Sequence, residues 1–504
     1  MRSKPVLVIG ATGYVGGRLV PRLLESGYRV RVMARSLSKV ICRPWGNHPM
    51  VEISQGDVLD LDSLRRATSG CSAAFYLVHA MSSARENFAL ADRKAAYHMA
   101  IAAAEARLDR IIYLGGLGRD DDPSLSEHLR SRHEVGRILQ SGPVPTTVLR
   151  AAMILGSGSA SFEMLRYLAD RLPVMITPRW VQTPVQPISI RNVLGYLVGC
   201  LEHEETRGQT YDIGGPEVLT YEKMIHIYAD VAGLPRRRIF PLPFLSPHLS
   251  ALWIHLITPV PASIARPLAE GLRNEVVCQD HRIRSIIPQD LMTARETTER
   301  ALEKMRLQRV ETRWIDAGVL LPPEWVQCGD AQYAGGTILE YGSSVLVEAT
   351  PEDLWEFVSQ IGGRTGWYFG NPLWRLRGLL DRLLGGYGLR RGRRPSLDIY
   401  VGDALDFWRV LEIRPLRRLL LLSEMKMPGE ATLEFKILPA GRNRVELRQL
   451  SRFVPRGLLG ILYWYSLYPF HEWIFSGMLT SIAKRAGKVI LKGPDRFTPK
   501  LRQS

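Results

Sequence analysis

The chain has few cysteines for its 504 residues, and they are far apart. The five cysteines run from Cys42 to Cys328 without a Cys-x-x-Cys pair, which argues against a disulfide framework and a cysteine-based metal site. This usage is typical of a reducing compartment, so we expect a cytoplasmic protein. The N-terminus also lacks a long apolar run, and we expect no signal peptide there.

Acidic residues are scarce relative to basic ones, and the formal net charge is +16. This imbalance suits contact with an anionic membrane, or it reflects only an arginine-rich composition. No nucleic-acid-binding motif accompanies the charge, so we expect no nucleic-acid partner. The length and the 46% hydrophobic content predict two or three domains with substantial cores.

A glycine-rich motif follows an apolar run near the N-terminus. Val6–Ile9 is typical of a buried parallel strand, and Gly10-Ala11-Thr12-Gly13-Tyr14-Val15-Gly16 comes directly after it. The residues up to Ser26 then show helical spacing of leucine and valine. A strand, glycine turn and helix suit a dinucleotide pyrophosphate, because glycine permits close approach and the helix N-terminus faces the anion. The alternative is a tight turn that holds no ligand.

Strand and helix patterns alternate through the first half of the chain, which predicts an α/β fold with a doubly wound parallel sheet. Beyond Arg150, proline-containing loops and further helix patterns predict a substrate-side subdomain built onto this sheet. The predicted strands are Val6–Ile9, Arg29–Ala34, Met50–Ser54, Ala73–Val78, Arg110–Leu114 and Thr146–Leu149.

The pattern changes after about residue 330. Thr337 to Val347 alternates like a strand, and Thr350-Pro351 begins a helix. Several strands separated by short turns follow, and a long helix is predicted from Gly457 to about Leu491. This order predicts an α+β domain in which an antiparallel sheet grips a long helix.

Five segments carry a resemblance to a known family. Residues 1–325 resemble the atypical short-chain dehydrogenase/reductases, specifically the bacterial NmrA-like and complex I accessory-subunit-like NAD(P)-binding proteins. Residues 335–495 are similar, by element order, to a helix-grip domain of unknown function of the SRPBCC/START type, and 496–504 form a basic tail. The five segments are Gly10–Gly16, Gln55–Val58, Tyr76–Met81, Ile112–Gly118 and Tyr211–Glu217.

The resemblance implies roles for particular residues. Asp57, with Val58 beside it, maps onto the position that contacts the adenine, and Val78 and His79 map onto the nicotinamide-ribose side. Asp57 has an alternative role as a turn residue, and His79 as a core histidine. The C-terminal resemblance implies a hydrophobic small molecule or lipid as ligand.

The end of the second predicted strand lacks the acid that usually binds the ribose of NAD. Arg35 and Ser36 stand there instead, with Lys39 nearby. A guanidinium pairs with phosphate, so we expect NADP(H) rather than NAD(H). The alternative is that Arg35 is an ordinary surface arginine.

The usual catalytic set of Ser and Tyr-x-x-x-Lys is missing. The fifth predicted strand ends in Gly115-Gly116, and the following helix offers His128 and Arg132 where Tyr and Lys are expected. His128 titrates in the right range for proton transfer, whereas Arg132 does not. Two interpretations remain open: an oxidoreductase acting on a hydrophobic carbonyl or quinone-like compound, or a non-catalytic NADP(H)-binding redox sensor or assembly factor.

Two segments suggest contact with a membrane. Leu373 to Arg394 interleaves leucines with seven arginines and only Asp381 opposes them, which suits an anionic membrane surface or a solvated basic loop. Leu458 to Leu479 is apolar, but Pro469, His471 and Glu472 interrupt it. We therefore expect peripheral contact at the inner face of the membrane rather than a membrane span.

Overall fold

A computed structural model describes most of the chain, in two compact units. The first unit contains residues up to Met305 and the second contains residues from Thr337 onward. The described residues are 4–41, 43–78, 88–119, 122–242, 258, 260, 268, 270–271, 273–307, 336–363, 365–383 and 399–497.

The first unit is built on a seven-stranded sheet in which every neighbouring pair is parallel. The strand order is β3-β2-β1-β4-β5-β6-β11, and the inner strands are buried on both faces. The predicted α/β doubly wound sheet is therefore confirmed. The strands are β1 (Val6–Ile9), β2 (Val30–Ala34), β3 (Val51–Gln55), β4 (Ala73–Tyr76), β5 (Arg110–Gly116), β6 (Thr146–Ala151) and β11 (Thr210–Ile213).

Helices connect these strands, and three two-stranded pairs extend the unit beyond the sheet. The pairs are β7 (Ile154–Leu155) with β10 (Ile188–Ser189), β9 (Pro184–Val185) with β12 (Leu219–Thr220), and β8 (Val174–Pro178) with β13 (Arg238–Leu242). The helices are α1 (Tyr14–Glu25), α2 (Leu37–Ile41), α3 (Leu61–Thr68), α4 (Phe88–Glu105), α5 (Glu127–Gln140), α6 (Ala160–Arg171), α7 (Ile190–Glu202), α8 (Tyr221–Val231), α9 (Ile283–Ile286) and α10 (Ala294–Leu307).

The order of the strands reverses at β1. Its neighbours are β2 on one side and β4 on the other, so the chain crosses the sheet between β3 and β4. The amide of Leu77, just after β4, donates to the carbonyl oxygen of Ile9 at 3.0 Å. Ligands of open α/β sheets bind at such a reversal, beyond the carboxyl ends of the strands.

The second unit is a seven-stranded sheet in which all neighbouring pairs are antiparallel. The order is β15-β16-β17-β18-β19-β14-β20. The predicted antiparallel α+β domain is therefore confirmed. Its elements are β14 (Leu339–Glu348), α11 (Pro351–Ser359), α12 (Asn371–Leu383), β15 (Ala404–Leu405), β16 (Trp408–Arg414), β17 (Arg418–Ser423), β18 (Gly429–Pro439), β19 (Val445–Pro455), α13 (Gly457–Arg485) and β20 (Val489–Phe497).

Helix α13 packs on one face of this sheet. Its Trp464 ring stacks on Phe453 of β19, with ring centroids 5.6 Å apart. Met478 and Leu479 are fully buried in the same core. The sheet and the second half of α13 thus share one hydrophobic core.

Aromatic side chains fill much of that core. Trp367, Trp374, Phe407 and Trp408 contact one another with ring centroids 5.4–6.2 Å apart. The Trp367 indole N–H donates to the Asp406 carboxylate at 3.0 Å. These rings pack as core, as aromatic side chains at such spacing usually do.

The predicted end of the long helix is wrong. Helix α13 ends at Arg485, and Gly487 turns the chain with a φ of +67°. Val489 to Phe497 then forms a strand that pairs with β14. The sequence pattern predicted that the helix continues through Val489 and the apolar residues after it. It gave no sign of a strand there, because the partner strand β14 lies far away in the sequence.

No helix in the described ranges is long and apolar enough to cross a bilayer.

Candidate functional site

The glycine turn follows β1 at the point where the strand order reverses. Gly10 has a φ of +92°, and a Cβ there would lie 2.7 Å from the carbonyl oxygen of Leu77. A Cβ on Gly16 would collide with the carbonyl oxygen of Gly10. The turn therefore needs glycine at both positions for its backbone conformation and for its close approach to β4 and to itself.

The turn leads directly into the N-terminus of α1. Gly13 is the N-cap, and its amide donates to the carbonyl oxygen of Gly10 at 2.9 Å. A glycine has no side chain to cap the helix, and the first turn of α1 contains no acidic residue. The first-turn amides of a helix lack intrahelical acceptors and carry partial positive charge. The residues present thus fit a dinucleotide pyrophosphate.

A buried arginine braces the glycine turn. Arg43 is 2% exposed, and its guanidinium donates to the carbonyl oxygen of Thr12 at 3.0 Å. A Cβ on Gly17 would approach that guanidinium to 2.8 Å. The indole of Trp45 donates to the carbonyl oxygen of Gly17 at 2.9 Å. Sequence reasoning missed Arg43, because an arginine in a loop gives no signal that it is buried.

The residues predicted for the adenosine side lie beyond the ends of β2 and β3. Arg35 is exposed and Ser36 is half-buried directly after β2. The Asp57 carboxylate accepts from the amide of Leu59 at 3.0 Å, and its carbonyl oxygen accepts from the Ser63 hydroxyl at 2.7 Å. Asp57 therefore supports the turn after β3, and Val58 packs partly buried beside it.

A cavity of about 540 Å³ opens above the carboxyl ends of the strands in the first unit. One wall is the glycine turn together with Leu77 and Val78. The opposite wall comes from the segment after β6, from α6 and from the start of α8. This second wall is mainly apolar, and its members include Met153, Ile154, Met164, Val185, Tyr221, Leu268 and Val276.

The wall opposite the turn is tied to α1. The side chain of Arg18, 1% exposed, donates to the carbonyl oxygen of Ser157 at 3.1 Å. The carboxylate of Glu163 accepts from the Ser157 hydroxyl at 3.1 Å and from the Gly158 amide at 2.8 Å. These bonds join the segment before α6 to α1 on one side and to α6 on the other.

The two candidate catalytic residues line the same cavity. Burial, and secondarily the charge of Arg132, lower the pKa of His128 to about 3. The imidazole is therefore neutral near pH 7 and holds no transferable imidazolium proton. Arg132 donates to the carbonyl oxygen of Leu114 and lies over the Tyr113 ring, 5.2 Å from its centroid.

A side chain at the end of β5 would crowd its neighbours. A Cβ on Gly116 would lie 2.7 Å from a methyl group of Leu129 on α5. A Cβ on Gly115 would lie 3.2 Å from the Tyr113 ring. The glycine pair allows α5 to pack closely against β5, and neither glycine supplies the hydroxyl of the usual catalytic serine.

The structure brings most of the predicted site residues together at one edge of the sheet. Arg35, Ser36, Asp57 and Val58 lie beyond the neighbouring strand ends rather than in the cavity wall. His79 lies outside the described residues. The predicted residues that line the cavity are Gly10, Thr12, Gly13, Tyr14, Val15, Gly16, Val78, His128 and Arg132.

Sequence reasoning did not single out the apolar wall. Ala151 to Ile154 line the cavity because they form the end of β6 and the residues directly after it, and Tyr221 does so because it begins α8. Position after a strand was an available signal for the first group, since parallel strands end at a common edge. The wall from α6 and α8 depends on tertiary packing and had no local signal.

Two family models match this chain. Residues 10–161 match the family described as NAD(P)H-binding. Residues 334–478 match the family described as a protein of unknown function (DUF2867). The resemblance to NAD(P)-binding proteins of the NmrA-like, atypical short-chain dehydrogenase/reductase type is thereby confirmed for the first unit. The SRPBCC/START resemblance of the second unit stays a prediction.

Several curated proteins resemble the first unit. The (4-alkanoyl-5-oxo-2,5-dihydrofuran-3-yl)methyl phosphate reductase of Streptomyces griseus is 25% identical over 232 residues, 46% of this chain and 75% of the relative. The NADH dehydrogenase [ubiquinone] 1 alpha subcomplex subunit 9 of Dictyostelium discoideum is 25% identical over 252 residues, 48% and 69% of the two chains.

Among solved structures, triphenylmethane reductase from Citrobacter sp. complexed with NADP(H) is similar with a TM-score of 0.48 and 19% identity. The match covers 59% of this chain and all of that one.

The close contact at Gly16 predicts the effect of adding one methyl group. Gly16→Ala places a Cβ against the Gly10 carbonyl oxygen. The turn has to shift to relieve this contact, which displaces the first-turn amides of α1, so we expect binding of NAD(P)H to weaken by about tenfold or more. Fluorescence titration measures this.

Gly136→Ala on α5 is the matched control, because its Cβ meets only ordinary contacts of 3.6 Å or more. It should bind NADPH normally and raise the melting temperature slightly. Unchanged affinity in Gly16→Ala would contradict the role given to the turn.

The lowered pKa of His128 predicts a specific acid sensitivity. Below pH 6.5 the unfolded chain protonates this histidine while the folded chain does not, so stability falls as the pH drops from about 6.5 toward 3. His128→Gln removes this linkage, and its melting temperature should fall less between pH 7 and pH 5 than that of the parent chain. The exposed His281→Gln is the control and should keep the parental slope. Identical slopes for all three proteins would refute the assignment.

Proposed function

Because the first unit is an NAD(P)-binding Rossmann domain of the NmrA-like, atypical short-chain dehydrogenase/reductase type, we propose that the chain is an NADP(H)-dependent reductase. Its substrate is a hydrophobic carbonyl or quinone-like compound, reduced without the standard Ser-Tyr-Lys set. The observation that carries this proposal is the single cavity bounded by the glycine turn on one side and an apolar wall on the other.

Some residues of the cavity bind the cofactor and others bind the substrate. The glycine turn and the N-terminus of α1 hold the pyrophosphate. Val78 lines the same cavity. The bound nicotinamide supplies a hydride. Met153, Met164 and Val276 offer a substrate an apolar surface that excludes water around the reacting carbonyl.

The carbonyl oxygen of a substrate needs a hydrogen-bond donor. The neutral donors among the residues that line the cavity include the N–H of His128 and the hydroxyl of Tyr221. Burial raises the pKa of Tyr221 well above its usual range, so this phenol stays protonated at neutral pH. A neutral donor stabilises developing negative charge on the oxygen, and solvent completes the protonation.

The preference for NADP(H) rests on the end of β2. Arg35 is exposed beside the glycine turn, and its carbonyl oxygen accepts from the side chain of Gln55 at the end of β3. Its guanidinium is available to a 2′-phosphate, and Ser36 adds a hydroxyl. Lys39 on α2 is exposed and adds positive charge to this segment.

A second candidate function is NADP(H) binding without turnover, as a redox sensor or assembly factor. Two observations favour it: Gly115 and Gly116 stand at the end of β5, where the usual set has a serine, and Arg132 donates to the carbonyl oxygen of Leu114. The relative from Dictyostelium discoideum is named as a subunit of a larger complex, which also supports a binding role.

Replacing Arg35 tests the cofactor preference. Arg35→Ala should weaken NADPH binding by about tenfold, the worth of one charge-assisted phosphate contact. It should leave NADH binding unchanged, since NADH lacks the 2′-phosphate. Calorimetric titration with both cofactors measures the two affinities.

Arg29→Ala is the control, because Arg29 precedes the same strand at its opposite end and pairs with Glu52 at 2.8 Å. It should change neither affinity. Tighter binding of NADH than NADPH by the parent chain would refute the preference.

Steady-state oxidation of NADPH across a panel of quinones and aldehydes separates the two functions. We expect turnover of apolar substrates, and a fall in kcat of about a hundredfold in His128→Ala or in Tyr221→Phe, whichever donates. The KM for NADPH should stay unchanged in both variants. NADPH binding without oxidation across the panel would instead support the sensor or assembly role.

A further inference from the structure

Helix α13 presents apolar side chains to solvent from its start as far as Trp473. At 3.6 residues per turn their positions fall on one side of the helix and so form one outward stripe. Leu459 is 73% exposed and Trp473 is 57% exposed. The exposed members of the stripe are Leu458, Leu459, Leu462, Tyr465, Phe470 and Trp473.

Helix α12 is apolar on its solvent side as well. Trp374, Gly378 and Asp381 face the protein and are buried. The opposite side carries Leu376, Leu379, Leu380 and Leu383, all exposed, and Leu383 is 76% exposed. A surface helix normally turns such leucines toward the core, so this stripe needs a partner outside the unit.

The segment that leads into α12 lies against α13. Just before α12, the ring of Phe369 contacts Trp473 edge-on, with centroids 5.1 Å apart. Near the other end of α12, the Lys426 amide donates to Asp381 at 2.5 Å.

The segment that follows Lys426 then reaches the start of α13. There the carbonyl oxygen of Pro428 accepts from the Arg456 amide at 2.9 Å. The two leucine stripes therefore occupy one region of the second unit, which we call the leucine surface.

The charge around the leucine surface is mainly positive. Arg375, Arg382 and Arg456 are exposed there, and Arg377 is half-buried. Asp381 is buried and engaged with Lys426, so Glu472 is the exposed acid of the two stripes among the described residues. Leucines flanked by arginines, with tyrosine and tryptophan among them, match the interfacial region of an anionic bilayer.

We propose that the leucine surface docks the second unit on an anionic lipid membrane. The leucines and Trp473 enter the boundary between headgroups and acyl chains, and the arginines contact lipid phosphates. A second copy of this chain is the less suitable occupant, because two such surfaces face to face would bring arginines against arginines. The proposal is independent of the proposed reductase activity.

Vesicle flotation of the whole 504-residue chain tests the proposal. We expect it to float with vesicles of phosphatidylcholine and phosphatidylglycerol, and much less with phosphatidylcholine alone or at high salt. The combined variant Leu379→Ser, Leu383→Ser, Leu459→Ser, Leu462→Ser should bind the anionic vesicles at least about tenfold more weakly. Arg375→Ala with Arg382→Ala should lower binding to anionic vesicles and leave binding to neutral ones unchanged.

The control replaces exposed apolar residues outside the leucine surface. Leu90→Ser with Ile101→Ser on α4 should float like the parent chain. Thermal melting and NADPH titration show that each variant is folded. Failure of the parent chain to float with anionic vesicles at low salt would overturn the proposal, as would full flotation of the leucine variant. So would a dimer that the leucine variant abolishes in a chain that does not float.

Discussion

The site depends on a close approach of backbone to backbone that only glycine permits. Gly16, in the first turn of α1, lies in close contact with the carbonyl oxygen of Gly10. Gly10 lies in close contact with the carbonyl oxygen of Leu77. Arg43 fills the space behind this turn, and Arg18 fastens it to the apolar wall. The glycine turn leads into α1, and the apolar wall is bonded to α1 through Arg18. Helix α1 therefore holds both walls of the cavity in place.

Burial, rather than residue type, decides the chemistry available in the cavity. His128 stands where a proton donor is expected, yet its surroundings hold it neutral. Tyr221 was not a sequence candidate, and its surroundings keep its hydroxyl protonated. Arg132, expected near a ribose, instead donates a hydrogen bond to the carbonyl oxygen of Leu114 in β5. A reaction here therefore relies on neutral donors and on exclusion of water.

Local signals predicted the parallel sheet well, since a continuous apolar run such as Val6–Ile9 is unambiguous beside a glycine turn. They also identified the glycine turn and its neighbours. They failed where partners are distant: Val489 continues an apolar pattern after α13, but it pairs with β14. The burial of Arg43 was likewise not predictable, because it is set by tertiary packing.

The contact between Gly10 and the residues after β4 joins parts of the chain that are far apart in sequence. The glycines of the turn all lie within Gly10–Gly16. The contact of Gly10 with Leu77, however, forms only once β4 pairs with β1. Cofactor binding is therefore coupled to folding of the whole sheet. A cofactor at a hundred times its Kd would stabilise this unit by about 2.7 kcal/mol, so its cellular lifetime should follow the nucleotide supply.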